Sequence, residues 1–235
     1  MSRRLLMGQP KNPETIIIKN RYYPNGLKEI DIWNYYQSIK GSFLNSTKNK
    51  TLSALIMVDE NKPIIRRNFN GKPLRLSPQN YDTVITGRTV GFYSEMDMYE
   101  QIGIIDIDTD DGIKWAKKVT ADVYDYVMDK MPIVRTASIR FTGKTSFHIV
   151  CDFGRKMKVD SIRFMLRKFL QNSDLSRVYT IEGKRRPGIP NLDLSPNKIR
   201  GNYITLHSLS FIGLRCMEVP YNQLNSFDPR KAIIK

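Results

Sequence analysis

Residues 104–112 read IIDIDTDDG, and no other stretch of the chain restricts its fold as much. In an extended strand, successive side chains point to opposite faces. Ile105 and Ile107 therefore face one way, and Asp106 and Asp108 the other. Directly downstream, Ile113, Ala116, Val119, Val123 and Val127 recur at helical spacing, which predicts a helix over 110–131. A strand that feeds a long amphipathic helix must bury its isoleucine side, which leaves a pair of carboxylates on the other.

Those two carboxylates sit roughly 6.5–7 Å apart at Cα, a separation that divalent cations can bridge. Without a cation, their like charges repel. Oxygen ligands of this kind suit Mg²⁺ or Mn²⁺. Asp110 and Asp111 have a different role, because they precede the helical pattern and favour its positive end. A calcium-loop reading fails twice: counting from Asp106, Asp111 takes the position that needs glycine and Lys117 the position that needs glutamate.

The remaining pattern mixes strands and helices. Strands are expected at 15–18, 53–58 and 63–67, with a turn at 22–26 around Pro24 and Gly26. Helices are expected over 30–44 and over 159–172, the second capped by Asp160. Residues 68–82 are polar, with Pro and Gly, and form the expected internal boundary. Residues 136–153 read as two strands around a Thr-Gly-Lys-Thr turn, 191–195 as a short strand, and 202–212 as a β-rich end. This order gives an α+β class.

Two further groups carry chemistry. In FTGKTSFHIV, Ser146 and His148 fall on one strand face, just after Lys144 and Thr145, as a cluster of phosphate donors or as ordinary core residues. A phosphate-binding P-loop is excluded because its first glycine would fall at Ser138, and no nucleophile elbow supports a Ser-His hydrolase. Asp193, between Leu192 and Leu194, projects opposite to its apolar neighbours and is either a third metal ligand or an edge-strand aspartate. Arg185, Arg186 and Arg200 flank it and suit phosphate oxygens.

Lys and Arg outnumber Asp and Glu by 38 to 23, a net charge of +15, which points to a polyanionic partner. The basic residues form small clusters, Arg66 with Arg67 among them, as in a nucleic-acid groove rather than a membrane-surface helix. Cys151 and Cys216 are the only cysteines, so neither a disulfide framework nor a Cys-rich zinc site is expected. With no signal peptide and no membrane-spanning run, the expected setting is a cytoplasmic, reducing compartment, with no membrane partner.

In order, Asp106-Ile-Asp108, Ser146-Phe-His148 and Leu192-Asp193 resemble the motifs of the archaeo-eukaryotic primase superfamily, with the strongest likeness to the polymerase domain of bacterial DNA ligase D and to small primase catalytic subunits. The resemblance implies one primase-polymerase domain over 1–235, with an N-terminal αβ unit over about 1–85 and an RRM-like mixed catalytic sheet, flanked by helices, over 86–235. It implies template-dependent nucleotidyl transfer from NTPs or dNTPs with two Mn²⁺ or Mg²⁺ ions, on a DNA template and primer. By matching position, Asp106, Asp108 and Asp193 hold metal, and Ser146 and His148 meet the incoming triphosphate. Lys144, Thr145, Arg185, Arg186 and Arg200 contact triphosphate or template, and Lys28 a template 5′-phosphate.

The chain departs from the pattern in places. The usual Pro-Tyr-Ser becomes Leu206-His207-Ser208, so one triphosphate contact is absent or falls to Arg215. A histidine common before the first motif is replaced around Tyr93-Ser94, which leaves sugar selection open. The chain shows no ligase or helicase elements, so such activities, or those of a primase accessory subunit, would belong to a separate partner. Two rival readings remain: a two-metal nuclease, which needs no Ser-x-His strand, and a non-catalytic nucleic-acid-binding module.

Overall fold

The computed structural model describes residues 10–60, 62–109, 112–184 and 186–234; Asp110, Asp111 and Arg185 lie outside them. The chain divides into two compact units, one of residues up to 94 with 204–216 and those from 229, the other of 95–203 with 217–228. The structure divides at 94/95, not near 85, and the chain later returns to the first unit. Residues 68–82 cannot be the boundary because they are tied in. Leu74 is buried, its carbonyl accepts from the Leu52 amide at 2.9 Å, and its own amide donates to Arg67 at 2.9 Å.

In the first unit, β1 (Ile16–Asn20) pairs antiparallel with β2 (Tyr23–Lys28). The turn lies at 21–22, earlier than expected, because Asn20 Oδ1 accepts from the amides of Tyr22 and Tyr23 at 2.9 and 3.3 Å and closes it. Pro24 and Gly26 fall inside β2; Gly26 has φ +83, and a Cβ there would come within 2.7 Å of Ile16. The helix expected over 30–44 is two, α1 (Glu29–Ser38) and α2 (Lys40–Ser46), separated at Ile39. Asp31 opens α1 by accepting from the Lys28 amide at 2.9 Å. At its end, Ser38 Oγ bonds back to the Tyr35 carbonyl at 2.7 Å, a contact that competes with helix continuation.

β3 (Leu52–Asp59) lies between β4 (Lys62–Arg66) and, beyond the short β5 (Asn68–Phe69), β6 (Lys72–Pro73) and α3 (Tyr81–Val84), β7 (Thr89–Glu95). Tyr36, Phe43 and Phe92 form its aromatic centre, with ring centroids 5.3–5.8 Å apart.

The second unit is β8 (Tyr99–Asp108), α4 (Gly112–Lys130), β9 (Thr136–Phe141), β10 (Phe147–Lys158), α5 (Val159–Gln171), α6 (Leu175–Val178), β11 (Thr180–Ile181), β12 (Asn191–Asp193) and, after β13 (Asn202–Ile204), which lies beside β7 at the edge of the four-stranded sheet, β14 (Met217–Glu218). Six of these strands form one mixed sheet in the order β11-β12-β8-β10-β9-β14, with β11 and β12 parallel. Ile105, Ile107, Ile149 and Cys151 from its centre pack with Val119, Val123 and Val127 of α4 and Ile162, Leu166 and Leu170 of α5. Each fully buried aliphatic side chain there stabilises by about 1.5–3 kcal/mol. Asp160 does not cap α5: Lys158 holds the N-cap position with no side-chain bond, and Asp160 sits in the first turn.

The α+β class expected from the element order is the class observed, and the isoleucine face of β8 is the core face. Among the described residues, no helix is long and apolar enough to cross a membrane.

Candidate active site

Because Ile105 and Ile107 face the helices, Asp106 and Asp108 project from the opposite side of the six-stranded sheet. Strand register brings the third carboxylate beside them: Asp193 of β12 is paired with Asp106, and Asn191 with Asp108. One ligand oxygen from each of Asp106, Asp108 and Asp193 lies within 4.8 Å of the others, and all three residues are partly exposed. On the far side of β8, His148 of β10 is paired with Asp106. Its Nε2 lies 3.5 Å from Asp106 Oδ1, and its side chain is 6% exposed.

The loop after β12 is built to hold Asp193. Ser195 donates its amide to Asp193 Oδ1 at 2.8 Å and its hydroxyl to Oδ2 at 2.6 Å. Asn197, fully buried, then takes the place of a further strand residue. It accepts from the Ile104 amide at 2.7 Å and donates to the Ile104 carbonyl at 2.6 Å. Gly201 closes this loop where no side chain fits, since a Cβ would come 2.0 Å from the Pro196 carbonyl oxygen.

The donor set suits a hard divalent cation. Three carboxylates converge, and Asp106 Oδ1 is buried without a hydrogen-bond partner. The two oxygens of Asp193 keep lone pairs beyond those that Ser195 uses. Buried polar atoms are seldom left unpaired, so Asp106 Oδ1, and Nδ1 of the His148 ring whose Nε2 lies 3.5 Å from it, mark a place where external atoms belong.

The other residues singled out from sequence divide into two groups. Ser146 lies one residue before β10, in the turn rather than on the strand, where its hydroxyl meets Thr142 Oγ1 at 2.7 Å. Lys144 is exposed in the same turn and Thr145 half-buried. Arg186 is exposed beyond β11, with a backbone bridge to Ile189. Arg200 Nε lies 3.3 Å from the buried Glu95 carboxylate, so this arginine has a structural partner.

Lys28, Arg66 and Arg67 belong to the first unit. Lys28 is ion-paired with Glu14, which holds its ammonium above the usual lysine range, so a phosphate there would compete with a carboxylate. Arg66 and Arg67 are exposed, at and just after the end of β4. Ser94 and Ser208 are buried in hydrogen bonds to Thr205 at 3.0 Å and to the Phe92 amide at 2.6 Å, and Arg215 bonds the Lys231 carbonyl at 3.1 Å.

Two residues on the carboxylate side of the sheet escape a sequence reading. Asn191 is buried beside Asp108 with its Oδ1 unpartnered, and Arg140 of β9 is paired with His148. Nothing in their local sequence marks them; only the register does.

No protein-family model and no curated protein sequence matches the chain. Among solved structures, the polymerase domain of Mycobacterium tuberculosis Ligase D, in complex with DNA, is similar to it with a TM-score of 0.70, over 92% of this chain and 88% of that one, at 12% sequence identity. The chain therefore has the α+β fold of that polymerase domain.

Proposed function

We propose that the protein is a template-dependent nucleotidyltransferase, a DNA primase or polymerase that builds RNA or DNA strands from NTPs or dNTPs. The observation that carries this reading is the convergence of Asp106, Asp108 and Asp193 beside His148 on one sheet face, in a chain with the fold of a polymerase domain. Its excess of positive charge supplies the attraction for a template.

Asp106, Asp108 and Asp193 would hold two divalent ions, Mg²⁺ or Mn²⁺, which when bound supply positive charge to the attacking hydroxyl and to the pyrophosphate leaving group. Ser195 keeps the Asp193 carboxylate in one orientation through two hydrogen bonds. His148 presents an imidazole, packed rigidly in β10, to a phosphate oxygen. Thr142 and Ser146 tie the turn after β9 so that Lys144 and Thr145 reach the same anion. Rigid donors of this kind need no reorganisation as charge develops, which is their catalytic advantage.

The test incubates the protein with primed and unprimed DNA templates, each nucleotide class, and Mg²⁺ or Mn²⁺. Template-directed product from the wild type, lost in Asp106→Ala/Asp108→Ala, is the expected result. Equal null results from both proteins would sink the reading. Degradation of labelled DNA without nucleotide would replace it with a nuclease.

A further inference from the structure

The polar face of the six-stranded sheet carries one continuous row of ionisable side chains. Register pairs Asp193 with Asp106, Asp106 with His148, His148 with Arg140, and Arg140 with Glu218. Directly opposed residues share a sheet face, so the row crosses five strands, β12-β8-β10-β9-β14. Its charge changes sign along the way: two carboxylates, an imidazole, a guanidinium, and a final carboxylate.

Three members of the row have a buried polar atom with no hydrogen-bond partner: Asp106 Oδ1, His148 Nδ1 and Arg140 Nε. Among the described residues five other buried side-chain atoms also lack a partner, so what sets the row apart is that three of its members fall together on one sheet face, as a single ligand that satisfies them together requires. Arg140 has one unpartnered buried donor, Nε, and one long hydrogen bond, to Glu218. Its side chain is 17% exposed, and among the described residues its one ion partner is Glu218, at 3.5 Å, with that carboxylate itself 53% exposed. A guanidinium offers five donors in a planar fork that matches a phosphate in two-point contact.

Neighbouring strands lie about 4.8 Å apart, so Arg140, two strands from Asp106, is about 10 Å from it at the backbone. An extended anion that starts at the three carboxylates through bound cations and passes His148 would reach Arg140 last. We infer that Arg140 binds the terminal phosphate of a nucleoside triphosphate lying along this row, and so makes the site select triphosphates over monophosphates. The inference rests on the nucleotidyl-transfer reading of the site, and it adds a specificity residue that neither the motifs nor the turn after β9 supplies.

Equilibrium binding separates it from that reading. Adenosine and deoxyadenosine mono- and triphosphates are titrated, with Ca²⁺ and without template or primer, into wild type, Arg140→Gln and Arg140→Lys, each checked by near-UV circular dichroism. Wild type is expected to prefer the triphosphate. Arg140→Gln is expected to weaken the triphosphate by about 10- to 100-fold, as for the loss of charge-assisted hydrogen bonds, and to leave the monophosphate unchanged. Arg140→Lys, which keeps the cation but not the fork, should fall between, and it carries the test if the glutamine variant does not fold.

A wild type that binds triphosphate with a preference unaltered in the folded variants overturns the role of Arg140 while leaving nucleotidyl transfer intact. Equal weakening of both phosphates overturns it too, since that marks a merely structural arginine. A wild type that binds no nucleotide overturns both.

Discussion

Two clusters of charge in the second unit follow opposite rules. Glu182, next to β11, lies between Arg163 and Arg167 of α5 and bonds both of them, with its side chain only 9% exposed. Its backbone adopts φ +47, a left-handed conformation that a non-glycine residue holds only when its surroundings fix it. Asp106, Asp108 and Asp193 gather like charges instead, and one of their oxygens is buried and unpartnered. The first cluster is complete and serves stability; the second is incomplete and implies a ligand. Charge density alone does not distinguish them, but partner accounting does.

The sharpest break in this comparison is catalytic. Asp106→Ala/Asp193→Ala should lower nucleotide incorporation by about a thousandfold or more, the scale seen when charge stabilisation in an active site is lost. The metal-free protein should nevertheless lose only about 1 kcal/mol, a few °C in the melt, since the loss of the two Ser195 bonds to Asp193 is offset in part by relief of like-charge repulsion. A large drop in the melting temperature of the metal-free double variant would place the carboxylates with Glu182, as structural charges.

Metal addition is the next largest effect. Mn²⁺ at about a hundred times its dissociation constant should stabilise the wild type by about 2.7 kcal/mol. Differential scanning fluorimetry should record a rise of roughly 5–10 °C, and none in Asp106→Ala/Asp193→Ala. Glu182→Ala reverses the pattern. Removing one member of a buried ion cluster costs about 3–5 kcal/mol, less where its partners are solvated. Arg163 and Arg167 are 29% and 41% exposed, so about 2 kcal/mol is expected, roughly 4–8 °C in the melt, with the Mn²⁺ response and the activity per folded molecule unchanged.

Ser195→Ala tests the support of the site. Residues that orient metal ligands typically account for 10- to 100-fold in affinity, and Ser195 keeps its backbone bond to Asp193 when the hydroxyl is lost. About tenfold weaker Mn²⁺ binding is expected by calorimetry. An unchanged affinity would show that the loop, not the hydroxyl, sets the carboxylate.

Much of the site's frame is legible in sequence because its signals are local. Alternation in β8 separates Ile105 and Ile107 from Asp106 and Asp108, helical spacing marks α4 and α5, and the Thr-Gly-Lys-Thr turn joins β9 to β10. The readings that fail are those where a side chain overrides a composition cue. Asn20 closes the first turn ahead of Pro24 and Gly26, and Ser38 bonds back to Tyr35 where one long helix is expected. Residues 204–216 are assigned to the first unit by tertiary pairing, such as the Thr205 amide with the Phe92 carbonyl at 3.0 Å. Arg140 and Asn191 are invisible for the same reason, since their place beside His148 and Asp108 depends on register between strands that are distant in the chain.

The smallest effect is the most direct comparison of the two clusters. Asp106→Asn keeps the side-chain shape but removes one of three negative charges that lie within 4.8 Å. At that distance each pair of charges repels by about 1 kcal/mol in a water-like medium, and salt screens part of it. The metal-free variant should therefore be more stable than wild type by about 0.5–1 kcal/mol at low ionic strength, with the gain shrinking as salt is added. With Mn²⁺ the order should invert, because the wild type then gains the stabilisation that the variant has lost. Glu182→Gln should show neither behaviour and should lose stability at every salt and metal concentration, since its charge already has two arginine partners. If Asp106→Asn destabilises the metal-free protein as Glu182→Gln does, then Asp106 is held by its neighbours, and the contrast between the two clusters disappears.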